Sequence, residues 1–365
     1  MFFRRNVGGI RIVTGDACNC QCRYCIQHDM VAMMQKCEFN PEICEFVKQV
    51  ANEAIEDGSE NKLDISFTGG EPLLYFETLK QFIMDTNKVS NKVFYRIITN
   101  GKLLTDEIID FCNQYGVVIQ VSWDGFNSIY TRNYDVVSEK RYQLFKCKNL
   151  RLHSTFCNGA YPLEVMAALQ DFDDEYSLVH NGKHIGTSVC PLRDNGSGDE
   201  VFQYDIGRLY SEMKMIVYNY YKSPEFADRY VIVKEWMDKL MREVCMVAES
   251  NNHITFNNRN CLDGIKNYNM DFAGNLYPCH SWRKKCGDIN SNYFDYLYNV
   301  VQCEKKTFDY SKCDSCVVKH ICRGGCKLTL PEQQEHYCSV SIATYKGFME
   351  YLADPNADFF RIEVI

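Results

Sequence analysis

Four cysteines, Cys18, Cys20, Cys22 and Cys25, fall within eight consecutive positions, and three of them (Cys18, Cys22, Cys25) have the spacing CxxxCxxC. Three thiolates from one loop can hold three corners of a four-iron four-sulfur cluster, whereas clusters that only carry electrons take four. One iron then stays open to a ligand, which is the logic of a catalytic metal site. The spacing alone also suits a zinc knuckle or free thiols, so its neighbours must decide. A second group lies far along the chain: Cys261, Gly274 and Cys279 read C-x12-G-x4-C, and Cys313, Cys316, Cys322 and Cys326 read CxxC-x5-C-x3-C, with Cys338 following. CxxC pairs suit tetrahedral zinc as well as iron and sulfur.

The elements that must position these thiols alternate through the first half. Strand-like runs occur at "GGIRIVTG", "LDISFTGG", "VFYRIITNG", "GVVIQVSWDG", "LRLHSTFCNG" and "HIGTSVCP", most of them closing on glycine. Helical periodicity separates them, as in "NPEICEFVKQVANEAIEDG", where Asn40 caps, Pro41 fits the first turn and Ile43, Val47, Val50 and Ala54 share a face. A βαβα order implies a parallel sheet covered by its crossovers, and six units are too few for a closed eight-stranded barrel. The expected fold class is therefore α/β, an open (β/α)6 partial TIM barrel followed by a loop-rich, metal-stapled domain. Its boundaries are expected at 1–225 for the barrel, 226–258 for a helical bridge, 259–345 for the cysteine-rich domain and 346–365 for a terminal helix and tail.

Composition narrows the classes. A chain of 365 residues exceeds what one core usually serves, which favours two domains or one with a large appendage. The 20 cysteines come without a secretion signal, so metal or catalysis is expected rather than disulfides, and the chain reads as cytoplasmic. No apolar run is long enough for a membrane span. The net charge of -8 and the lack of a basic cluster argue against a nucleic-acid partner.

The motifs taken together resemble the radical S-adenosylmethionine enzymes. The carrying features are CxxxCxxC with Tyr24 before the last cysteine, then "GGEP" (Gly69, Gly70, Glu71, Pro72) at the end of the second strand. The resemblance implies that the open iron chelates the methionine part of S-adenosylmethionine and that the glycine segment meets its ammonium group. Glycines allow close backbone approach, and a carbonyl or carboxylate can accept from an ammonium. It extends to "ITNG", with Asn100, and "SWDG", with Ser122 and Asp124, followed by Arg132, as expected contacts to the ribose and carboxylate. Arg132 also reads as a surface arginine, and these glycines as turn formers.

The second cysteine group resembles the SPASM extension of radical enzymes that modify peptides and proteins. That resemblance implies two auxiliary clusters, three four-iron four-sulfur clusters in all: Cys261, Cys279 and Cys326 on the first auxiliary, Cys313, Cys316, Cys322 and Cys338 on the second. The first is one ligand short; Cys245, Cys286 or Cys303 is a candidate, or a substrate thiolate completes it. Cys20 fits none of the groups, while Cys37, Cys44, Cys112, Cys147, Cys157 and Cys190 read as buried small apolar side chains. Among these Cys190 stands out, because "SVCP" ends the sixth strand on the catalytic side.

The implied reaction splits S-adenosylmethionine to a 5'-deoxyadenosyl radical that takes hydrogen from a substrate, with flavodoxin or ferredoxin as reductant. Sulfatase-maturating relatives carry an aspartate as candidate base where this chain has His280, while thioether-forming maturases can show histidine there. The expectation is a ribosomal-peptide maturase forming a thioether or carbon–carbon crosslink, with a separate leader-binding protein as a candidate partner. Formylglycine formation is the alternative, and an electron carrier or zinc-bound interaction module the remoter one. His280 is either a base or a hydrogen-bonding neighbour of the cluster.

Overall fold

The computed structural model describes residues 8–27, 38–56, 63–87, 93–249, 267–282, 284–303, 310–326 and 329–357. Among these residues nine strands form one sheet: β1 (Gly9–Val13), β2 (Leu63–Thr68), β3 (Val93–Thr99), β4 (Val118–Ser122), β5 (Leu150–Phe156), β6 (Gly186–Pro191), β7 (Asn267–Asp271), β8 (Asn275–Tyr277) and β9 (Gly287–Asp288). The α-helices among the described residues are α1 (Glu42–Glu56), α2 (Phe76–Asn87), α3 (Asp106–Tyr115), α4 (Ser128–Arg132), α5 (Val136–Lys146), α6 (Pro162–Val179), α7 (Ile206–Lys222), α8 (Pro224–Arg229), α9 (Ile232–Glu249), α10 (Tyr293–Gln302), α11 (Lys319–Cys322) and α12 (Gln334–Ala353).

The six strands read from the sequence pair in parallel, and the spatial order β6-β5-β4-β3-β2-β1-β7-β8-β9 leaves the sheet unclosed. This is the expected partial barrel. Local chemistry fixes the crossovers. Asn40 Oδ1 accepts the Glu42 amide at the start of α1, and Thr105 caps α3, which stops at Gly116 with φ 66°. The outward face of the sheet is apolar and fully covered by helices, with Ile10, Ile12, Ile65, Phe67, Tyr95, Ile97, Val121 and Leu152 buried.

Two features depart from expectation. The cysteine-rich stretch supplies β7, which pairs in parallel with β1 (Arg11 opposite Asn269), so it completes the barrel sheet rather than standing apart from it. The five residues of β7 are too short a segment to show against the loop-rich sequence around them. The last helix, α12, begins at Gln334, within the span assigned to the cysteine-rich domain, and carries Cys338 in its second turn. The stretch read as a helical bridge also contacts the barrel. Thr187 on the edge strand β6 donates its amide to Glu235 (2.8 Å) and its hydroxyl to the Ile232 carbonyl (2.9 Å), so α9 covers the β6 edge.

The inward face is polar along its length. By register, Arg11, Ser66 and Arg96 lie side by side, as do Gln120 and Arg151, and Ser122 and His153. Arg96 pairs with Asp64 at 2.9 Å and donates to Gln120 at 3.2 Å. Arg151 pairs with Glu235 and donates to the Thr187 carbonyl at 2.6 Å. Asp64 Oδ1, Arg96 Nε, His153 Nδ1 and both amide atoms of Asn269 are buried there without a hydrogen-bond partner among the described residues.

Candidate active site

The cysteine loop follows β1 directly and is held at the C-terminal mouth of the barrel by contacts to the ends of several strands. Gly70 donates its amide to the Gly15 carbonyl (2.9 Å) and Glu71 donates its amide to the Ala17 carbonyl (2.8 Å). A Cβ on Gly70 would lie 2.2 Å from the Ala17 carbonyl oxygen, and one on Gly69, at φ 140°, would lie 2.4 Å from that of Gly15. These glycines are what lets the two backbones touch. Asn100, at the end of β3, donates to Asn19 Oδ1 (2.8 Å) and lies 3.8 Å from Cys18 Sγ.

Tyr24 reaches the end of β4, where its hydroxyl donates to Asp124. Asp124 is 1% exposed and also accepts from Thr131 (2.8 Å), the Thr155 amide (2.9 Å) and Arg132 (3.2 Å). The Arg132 guanidinium stands over the Tyr24 ring at 5.3 Å. Arg132 and Asp124, expected at the cofactor, are thus occupied in fastening the cysteine loop. Glu71 is similarly committed: fully buried, it accepts from Thr99 (2.7 Å), the Asn100 amide (2.8 Å) and the Leu73 amide (2.9 Å). Burial holds its carboxyl above the usual range, against those three donors. Ser122, Asn100, Gly69 and Gly70 remain partly exposed at the mouth.

Sequence reasoning missed Arg23. It forks onto Asp199 with contacts of 2.7 and 3.1 Å, stacks on Tyr130 at 4.3 Å and donates its amide to the Thr131 carbonyl at 3.0 Å. An arginine between two cysteines and an Asp-Glu pair nearly the whole first half away carry no local signal that they meet.

The loop thiols share one space. Burial raises the Cys18 thiol, with Glu71 and Cys25 adding to the shift, and it pushes Cys22 up to about 12, with Cys20 and Cys25 adding to the rise. Thiols that raise one another as they ionise are stabilised as thiolates by a cationic metal centre. Cys18 Sγ also accepts the Cys20 amide at 3.4 Å. The donor set therefore fits an iron-sulfur cluster. In the second group burial pushes the Cys322 thiol up to about 11, and Cys338, Cys313 and Cys316 add to the rise. Cys279 Sγ accepts the Ser281 amide (3.4 Å), and Cys326 Sγ accepts from Arg193 (2.9 Å) just past β6. Cys286 and Cys303 are buried with their sulfurs 3.4 Å apart, facing each other. Cys261 and Cys37 lie outside the described residues.

His280 meets Arg11 from the inward face, with Nδ1 3.2 Å from the guanidinium and 4.0 Å from Cys279 Sγ. Arginine has only donors, so Nδ1 is the acceptor of this bond and any ring proton sits on Nε2. Ile26, at the end of the cysteine loop, and Cys326 line the same cavity of about 200 Å³, together with Arg193, Ser281, Leu330 and Tyr337.

An open parallel barrel with a three-thiol loop at its mouth defines a class, and residues 12–151 match the model of the Radical SAM superfamily. That stretch of the chain carries a radical SAM domain, whose superfamily implies S-adenosylmethionine and a four-iron four-sulfur cluster, and the protein is an enzyme. It is 29% identical over 133 residues to the radical SAM cyclopropyl synthase TigE of Paramaledivibacter caminithermalis, covering 33% of this chain and 28% of that one. It is 21% identical to the cysteine-type anaerobic sulfatase-maturating enzyme of Clostridium novyi, across 85% of each chain. Among solved structures, native anSMEcpe with bound AdoMet and Cp18Cys peptide superposes with a TM-score of 0.65 at 18% identity, covering 94% of this chain and 98% of that one, a likeness of fold. Among the described residues no helix is long and apolar enough to cross a membrane.

Proposed function

We propose that the protein is a maturase that oxidatively modifies a cysteine-containing peptide at the barrel mouth. The observation that carries this reading is the cavity lined by Ile26 at the end of the cysteine loop, by Arg193 and Asn195 in the segment after β6, and by Cys326. An extended peptide segment entering there would meet both groups. Relatives of nearly full length are named as maturases, and the solved relative holds a peptide.

In this reading Cys18, Cys22 and Cys25 hold the S-adenosylmethionine cluster. Cys279 and Cys326, with Cys261, hold one auxiliary cluster, and Cys313, Cys316, Cys322 and Cys338 the other. When bound, the reduced first cluster supplies the electron that splits S-adenosylmethionine. The chain's own residues position and shield. Gly69 and Gly70 bring backbone carbonyls to the cofactor's ammonium, and Asn100 and Ser122 offer polar contacts. Glu71, Asp124, Arg132 and Tyr24 hold the loop rigid. Arg193 donates to Cys326 and so orients that ligand. Flavodoxin or ferredoxin is the proposed reductant, and a separate leader-binding protein a proposed partner.

Thioether or carbon–carbon crosslinking of a ribosomal peptide is the product favoured by His280. Formylglycine formation is the second reading, favoured by the length over which the chain matches sulfatase maturases. Incubating the anaerobically reconstituted enzyme with a cysteine-type sulfatase peptide, and separately with cysteine-containing peptides encoded beside its gene, distinguishes them by mass. An aldehyde on the former supports the second reading, and loss of two hydrogens on the latter supports the first. Absence of 5'-deoxyadenosine under strong reductant overturns both.

A further inference from the structure

We propose that Cys190, with His153 beside it, is the proton acceptor for the substrate thiol in this site. The inference rests on the peptide-thiol reading above.

The geometry comes from two neighbouring strands. His153 on β5 lies opposite Ser188 on β6, and Thr155 lies opposite Cys190, so the imidazole and the thiol share the inward face near its C-terminal end. Cys190 Sγ lies 3.8 Å from His153 Nε2, and both side chains are partly exposed. His153 is also the register partner of Ser122 on β4, which faces the mouth. Among the described residues His153 Nδ1 is buried without a hydrogen-bond partner, which leaves Cys190 as the group its ring meets through Nε2 there. A Cys-His pair on the wall of an enzyme's barrel is the arrangement in which an imidazole stabilises a thiolate.

The groups facing Cys190 come from each element around it: His153 from β5, Arg193 from the segment after β6, Lys239 from α9, and the Tyr204 phenol. Burial works to raise the thiol, but His153, Arg193 and Lys239 outweigh it, leaving the thiol below its ordinary value. His280 is less suited to this task, because its Nδ1 already accepts from Arg11.

The step is a proton transfer. The S–H bond of the substrate cysteine breaks, the electron pair stays on the substrate sulfur as thiolate, and the proton forms a new S–H bond on Cys190. The proton passes from a thiol to a thiolate, so the transfer creates no new charge, and Cys190 serves because it is already ionised at a pH where an ordinary thiol is not. His153 is a positioning residue in this scheme: it holds Cys190 ionised before the substrate arrives.

The test uses the full reconstituted chain. Iodoacetamide alkylation between pH 6 and 9, with mass-spectrometric mapping, is expected to label Cys190 with a midpoint below that of an ordinary thiol, near 8.5. His153→Gln is expected to move that midpoint upward. With a peptide that the wild type modifies, Cys190→Ala is expected to lower product formed per 5'-deoxyadenosine about a hundredfold, and Cys190→Ser similarly. His153→Gln is expected to lower it less and to shift the acid limb of the pH profile to higher pH. Variants are compared at equal iron content and equal circular dichroism. A Cys190 that labels as an ordinary thiol, or a Cys190→Ala variant with unchanged coupling and pH profile, overturns the role while leaving the peptide reading standing. Failure of the wild type to modify any cysteine-containing peptide overturns the peptide reading and the role together.

Discussion

The loop after β1 and the cysteine region after β7 both gather thiols, but they are held by different forces. The first is fixed by backbone against backbone at Gly69 and Gly70, and by buried polar clamps at Glu71 and Asp124. The second is attached by packing: α12 lies on α7 so closely that a Cβ on Gly347 would sit 2.7 Å from Lys214 Cα. Buried hydrogen-bonded clamps define position to a fraction of an ångström, as a reacting cofactor requires, while a packed helix pair whose polar contacts, Tyr210 and Lys214 to Glu350, are partly exposed tolerates small shifts. The comparison implies that damage at the first region removes chemistry, and damage at the second removes stability.

Gly70→Ala should break this most severely. The added methyl would fall 2.2 Å from one backbone oxygen and 2.4 Å from another, neither of which can move alone. Formation of 5'-deoxyadenosine is expected to fall about a hundredfold or more, with the circular dichroism spectrum retained. A variant with wild-type turnover would show that the loop is not seated by this contact.

Glu71→Ala comes next. It leaves three buried donors unsatisfied, for an expected loss of about 3 kcal/mol in urea unfolding. The carboxyl adds a pH signature. Its folded value is raised by burial, so the folded state holds the proton more tightly than the unfolded one. The stability this contributes is fully present below the unfolded value, about 4.3, and is lost as pH rises through the folded value. Glu71→Gln should flatten that slope; an unchanged slope would mean another group titrates.

Gly347→Ala sharpens the other side of the comparison. Crowding the α7–α12 contact should lower stability by about 1 to 3 kcal/mol, with 5'-deoxyadenosine formation changed less than about fivefold. A loss of cleavage as deep as that from Gly70→Ala would erase the distinction between the regions. Asp199→Asn should have the smallest effect. Its pair with Arg23 is partly exposed, with side chains 25% and 29% accessible, so a change within about 1 kcal/mol and a modest rise in the KM for S-adenosylmethionine are expected.

Much of the fold was legible in the sequence because it rests on local rules. Strand periodicity, glycine stops and capped helices placed six parallel strands and their crossovers. The cysteine spacing marked the loop, since one turn of chain contains it. What escaped was long-range pairing: β7 alongside β1, Arg23 on Asp199, Tyr24 on Asp124. The polar inward face does leave a signal in the sequence. Arg11, Ser66, Arg96, Gln120, Arg151 and His153 each interrupt an apolar run at period two, whereas a sheet packed on both faces reads continuously apolar. Arg132 and Glu71 were expected at the cofactor because they stand near its motifs; that each also has buried partners, Asp124 for one and Thr99 for the other, carries no local signal.

β1 is paired on both sides, by β2 soon after it in the chain and by β7 from far along it. During synthesis its second edge stays bare until the ribosome has made most of the protein, and a bare parallel edge invites mispairing. Strand β7 therefore acts as a late-arriving keystone. A nascent chain interrupted before it leaves β1, and the cysteine loop leading from it, fastened on one side only.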